Sequence, residues 1–171
     1  MVNVRLIEHV DELRRQPGTR REVHRVMEAG GLAVSGSRVP EGAEVAIDGV
    51  VESIADGMVM TATVAAPWSG ECRRCLTDIQ GTLSSEVREV FEPNPTEGET
   101  WPLHGDGIDL APVLRETVLL SLPLAPLCSE ACPGPAPEAF PTVVSSDAGD
   151  DREDEPPRDP RWAALDQLRG D

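Results

Sequence analysis

Apolar and polar residues alternate with the two-residue period of half-buried strands along three stretches of this chain. The first runs from Glu44 to Ser53, with Val45 and Ile47 apolar, and Asp56-Gly57 follows as a hairpin signal. The second runs from Met58 to Ala66 through Val59, Thr61, Thr63 and Val64, and Pro67 is expected to end it. The third runs from Gly81 to Phe91 through Leu83, Val87 and Val90. Upstream, Val2–Ile7 reads as a short strand and His9–Arg15 as a short helix, with Pro17-Gly18 turning the chain. Arg20–Val26 alternates loosely enough to be strand or irregular. Pro93–Gly107 is rich in Pro, Gly and Glu and is expected to be a mobile loop.

Helical spacing begins after that loop, over Asp109–Leu120. Asp109 can cap by accepting from free backbone N–H groups, and Pro112 is tolerable in the first turn. Leu110, Val113, Leu114, Thr117, Val118 and Leu120 share one face, and Pro123 and Pro126 stop the helix. Residues 141–158 are acidic and Pro-rich, and too poor in apolar side chains to offset ordering entropy, so disorder is expected. Residues 159–171 regain helical character, with Trp162, Leu165 and Leu168 on one side. The pattern predicts an α+β fold: an antiparallel β-rich core, barrel-like or meander, one main helix after it, a disordered acidic segment and a short C-terminal helix.

Composition narrows the function. With three Trp, two Phe and no Tyr, the core must be built from Val, Leu, Ile and Ala. No apolar run approaches the roughly 18–20 residues of a membrane span. Charges at Arg5, Glu8, Asp11 and Glu12 interrupt any export signal, so a cytoplasmic protein with reduced cysteines is expected. The net charge is −16, and every basic residue is an arginine. Residues 1–40 hold seven Arg against five acids, while residues 41–140 hold four against 17. Such a surface repels phosphate, so nucleic acid could be met only through a local Arg patch, and a basic protein partner suits the average charge better.

The four cysteines form two close pairs, Cys72-Arg73-Arg74-Cys75 and Cys128-Ser129-Glu130-Ala131-Cys132. Two such turns can complete a tetrahedron around one zinc, with no position left for water or substrate, which makes the site structural. Unmetallated thiols and a redox pair are the competing readings. A redox C-x-x-C usually opens a helix, whereas the neighbouring β-runs place this one in a strand or hairpin. Arg73 and Arg74 sit between thiolates, where they can neutralise such a centre or reach an RNA phosphate; solvent exposure is the plainer reading for at least one. His9, His24 and His104 are isolated in sequence, and the chain lacks a nucleophile elbow, a phosphate-cradling Gly loop and H-E-x-x-H. An enzyme is not expected.

Four segments in order resemble the YceD family of large ribosomal RNA subunit accumulation proteins of bacteria and plastids. They are Pro17-Gly18-Thr19-Arg20, then Gly70-Glu71-Cys72-Arg73-Arg74-Cys75-Leu76, then Ile108–Glu116 with Leu119–Leu124, and lastly Asp159-Pro160-Arg161-Trp162-Ala163-Ala164-Leu165. The resemblance implies a YceD-like domain over residues 1–140 and an accessory role in 23S rRNA synthesis, processing or stability. Many relatives carry a further cysteine-bearing turn after the second pair, where this chain reads Cys132-Pro133-Gly134-Pro135. Two modes of action are then open. One is escort of a basic ribosomal or assembly protein. The other is direct contact with precursor 23S rRNA through Arg73 and Arg74, joined by Arg20 and Arg21.

Overall fold

The computed structural model describes residues 5–105, 107–136 and 138–139. The expected acidic segment and C-terminal helix lie outside these residues. Eight strands and two helices follow the order β1 (Ile7–His9), α1 (Asp11–Arg14), β2 (Arg20–Glu28), β3 (Ser37–Arg38), β4 (Glu44–Ile54), β5 (Gly57–Glu71), β6 (Asp78–Glu92), β7 (Trp101–His104), β8 (Gly107–Asp109) and α2 (Ala111–Ser121). The three alternating stretches became β4, β5 and β6, a meander of long antiparallel strands.

One sheet runs β1-β8-β7-β6-β5-β4-β2, with β3 added to the far part of β5. β1 and β2 stand at opposite ends of this order, yet Arg21 on β2 donates to Glu8 on β1 at 2.6 Å. The sheet therefore curls into a half-barrel whose edges approach each other. Alternation puts Val45, Ile47 and Val51 on the inner face with Met58, Met60, Val64, Leu83 and Phe91. Helix α2 closes this face with Val113, Leu114 and Val118.

Three sequence expectations need correcting. Pro67 does not end β5, which continues to Glu71. On one flank, β4 pairing stops at Ala65 and β3 pairing starts at Ser69, so Pro67 sits at a local edge where a missing N–H is tolerated. The stretch from Pro93 to Gly107 is not all loop, because β7 pairs in parallel with the end of β6 and returns as β8. Trp101 secures it by donating from Nε1 to Glu89 at 2.8 Å, and Leu103 is buried. Finally, Leu120 is 80% exposed, and Ala111 joins the buried face of α2 instead.

Asp109 does meet the start of α2, accepting at Oδ1 from the N–H of Ala111 and also of Leu6. One carboxylate thus joins the helix to the N-terminal segment. No helix among the described residues is long and apolar enough to cross a membrane.

Candidate metal centre

The long β5–β6 hairpin carries Cys72 and Cys75 at its tip, just beyond the Glu71–Asp78 pair. The tip is a tight turn: the Leu76 N–H donates to Cys72 O at 2.8 Å, and the Cys72 N–H donates to Thr77 O at 2.9 Å. Leu76 adopts a φ of 61°, a left-handed conformation unusual for a branched side chain. The second pair arrives from the other direction. Past α2 the chain runs through Pro123–Pro126 to a turn closed by Cys132 N–H on Ser129 O. The two loops are stitched together by the Arg73 N–H on Pro126 O at 3.0 Å.

All four sulfurs lie within 4.8 Å of one another. The near pairs cross between turns, Cys72 with Cys132 at 3.8 Å and Cys75 with Cys128 at 3.7 Å. Sulfurs at the corners of a tetrahedral zinc site, each about 2.3 Å from the metal, are about 3.8 Å apart. The donor set is all thiol, Cys72 and Cys132 are buried, and only small shifts separate the observed spacing from that geometry. The residues fit a metal ion of zinc type.

Electrostatics prepare the cluster unevenly. Backbone N–H groups of Cys75, then Cys128, point at the Cys72 sulfur and lower its thiol to about 6, with burial opposing and the Arg74 N–H assisting. The Thr77 hydroxyl and N–H lower Cys75. Cys128 is pushed up to about 12 because its proton is shared first with Cys132 and then with Cys75. Four thiolates this close cannot all ionise alone, whereas a bound dication reverses that repulsion.

The arginines singled out in the sequence lie in different settings. Arg74 donates from Nη1 to Glu130 O at 2.8 Å and to Cys132 O at 3.3 Å, so it braces the second cysteine turn. Arg73 is exposed and has no side-chain partner among the described residues. Arg20 pairs with Glu52 at 3.0 Å, and Arg21 pairs with Glu8. Sequence spacing separated the histidines, but strand pairing sets His9 and His104 on either side of Gly107, lining one cleft with Arg5 and Trp101. His24 meets the Asp48 carboxylate on the outer side of the sheet. The missed feature was Glu8. Its carboxylate is 5% exposed and also meets Arg25 at 2.5 Å, an ion pair without hydrogen-bond alignment. Its place next to Ile7 in an apolar run was the available signal.

A family profile described as "Large ribosomal RNA subunit accumulation protein YceD" matches residues 60–169. The chain is 31% identical over 169 residues to an uncharacterized protein of Mycobacterium tuberculosis (strain ATCC 25618 / H37Rv), covering 94% of this chain and 80% of that relative. A Mycobacterium bovis protein gives the same figures. A Mycobacterium leprae protein is 33% identical over 135 residues, covering 74% of this chain and 60% of that relative. No solved structure matches. The match over most of the chain, together with relatives above 30% identity, shows that this chain belongs to the YceD family, named for accumulation of the large ribosomal RNA.

Proposed function

We propose that this protein is a non-enzymatic accessory factor in large-subunit (23S) rRNA accumulation and ribosome biogenesis, acting by binding a basic ribosomal or assembly protein. The observation that carries this reading is the outer face of the half-barrel. Strand register aligns Glu22, Glu28, Glu44, Asp48, Glu52 and Glu86 on that face, against Arg20, Arg38 and Arg88. Glu28 and Glu44 stand directly opposite each other on β2 and β4, both exposed. A like-charged cross-strand pair costs stability, and a cationic partner would relieve it. Charge of this sign also speeds association with a basic protein.

Direct RNA contact is supported less well. The guanidinium groups of Arg20, Arg21 and Arg74 already hold Glu52, Glu8 and backbone carbonyls. Arg73 is the remaining one of the four. The four cysteines serve this role by holding one structural zinc, which ties the hairpin tip to the segment after α2.

A salt titration of binding to 23S rRNA tests the preference, with an Arg73→Ala/Arg74→Ala variant beside the parent. Weak binding that the variant leaves unchanged is expected. Steep loss with salt, joined to clear weakening in the variant, would establish a direct RNA binder instead.

A further inference from the structure

Strand β6 has an open side. β5 pairs with it from Asp78 to Phe91, whereas β7 covers its other side at Phe91 and Glu92 alone. Among the described residues, no backbone hydrogen bond joins residues 78–90 to any segment but β5. We propose that this edge, with the groove between it and α2, is the docking site for an extended basic segment of the partner protein, added to the sheet as a strand. The inference rests on the basic-partner reading and adds the form in which that partner is held.

The edge is long and regular. Its register with β5 runs unbroken from Glu71↔Asp78 to Met58↔Phe91, so no bulge bends it out of reach. Alternate residues along it turn their N–H and C=O groups away from β5, at the spacing that an extended backbone matches. Shortness, proline and charge are the usual devices that keep a free edge from pairing. β6 is 15 residues long and contains no proline, so only charge remains. That charge is mostly of one sign, with Asp78, Glu86, Glu89 and Glu92 against Arg88. Such an edge repels its own copies and other acidic strands, and admits a cationic one.

The groove beside the edge carries the same sign. It holds about 220 Å³ between β6, Trp101 and α2. Glu86, Glu89 and Glu116 line it, and no cation does. Arg88 lies on the outer face of β6, and Arg115 of α2 donates instead to the Gly30 and Gly31 carbonyls. Leu120 also lines the groove and is 80% exposed. An added strand would turn alternate side chains toward α2, which suits apolar residues beside Leu120. The others would join the acidic outer face, which suits cations. A segment alternating basic and apolar residues meets both demands.

Amide exchange on the full-length protein tests the proposal, with a synthetic peptide of about ten residues alternating lysine and valine as the probe. Without peptide, alternate amides of residues 79–89 should exchange fast, and saturating peptide should slow them at least tenfold. The same peptide methylated at every backbone nitrogen keeps its charge but cannot donate, and should leave them fast. Glu116→Lys/Leu120→Lys alters two exposed positions of α2 and should weaken peptide binding at least tenfold, while unchanged exchange in β4 shows that the variant is folded. The proposal is overturned by edge amides already protected in the free protein, or by equal effects of the two peptides. Protection that rises with protein concentration alone would place a second copy on the edge and overturns it too. Affinity capture from cell extract separates this failure from that of the partner reading. A basic protein captured equally by parent and α2 variant overturns the edge site alone, whereas a parent that captures none overturns the reading on which it rests.

Discussion

Glu8 and Arg21 join the two ends of the sheet: their side chains meet at 2.6 Å although β1 and β2 are the outermost strands of the order. The carboxylate is nearly buried, and Arg25 approaches its second oxygen. Removing the charge leaves two guanidinium groups beside an apolar seam. Glu8→Gln should therefore lower stability by about 2–3 kcal/mol. That is less than the 3–5 of a fully buried pair, because both arginines remain partly in water. The midpoint of urea unfolding measures it, and a change below about 0.5 kcal/mol would mean the seam is held by packing alone.

The four-cysteine cluster gives a stoichiometric prediction. Protein purified without chelator should carry close to one zinc per chain, and Cys72→Ser should lose most of it. Elemental analysis of parent and variant decides the matter. A parent with no metal and four freely titrating thiols would contradict a zinc centre.

The same centre has a predicted pH dependence. Above about 6, Cys72 is already a thiolate and releases no proton when metal binds, whereas Cys128, pushed up to about 12, must release one. Zinc affinity should thus rise with pH across the neutral range. Below about 6, Cys72 also holds a proton, and the slope of log affinity against pH should steepen by about one. Competition titrations with a coloured chelator between pH 5 and 8 would show the break, and a constant slope would contradict the assignment of Cys72.

Gly57 tests why the β4–β5 hairpin forms. A Cβ there would lie 2.2 Å from Phe91 O on β6, with no flexible side chain to yield. Gly57→Ala should cost about 1–3 kcal/mol by overpacking. Asp56→Ala, an exposed turn position, should stay within about 0.5 kcal/mol. Equal effects at both positions would assign the cost to the turn itself.

That hairpin also shows how far the sequence could be read. Asp56-Gly57 marked the reversal, and Ile54 does pair with Gly57 across it. The glycine, however, is required by the neighbouring carbonyl of β6, a long-range contact that no local pattern carries. β4, β5, β6 and α2 were legible because each is long enough for its period to show. β7 and β8 were not, since four and three residues among prolines and glycines hold no period. Their order comes from Trp101 reaching Glu89 and from pairing with β1. The cysteine cluster was legible from spacing, although only the fold brings its two halves together across 52 intervening residues. The Glu8 seam was hidden, because a carboxylate in an apolar strand says nothing about which distant arginines it will meet.

We propose that the acidic outer face binds a basic partner without RNA. Asp48 and Glu86 flank Thr63 in one row across β4, β5 and β6, so reversing both charges changes that face and leaves the inner core untouched. The most direct measurement is affinity capture from cell extract, with and without ribonuclease, using the parent and Asp48→Lys/Glu86→Lys. Basic ribosomal or assembly proteins should be recovered equally after ribonuclease treatment and be largely lost with the variant. Recovery that vanishes with ribonuclease, or that the charge reversal leaves unchanged, would contradict the account.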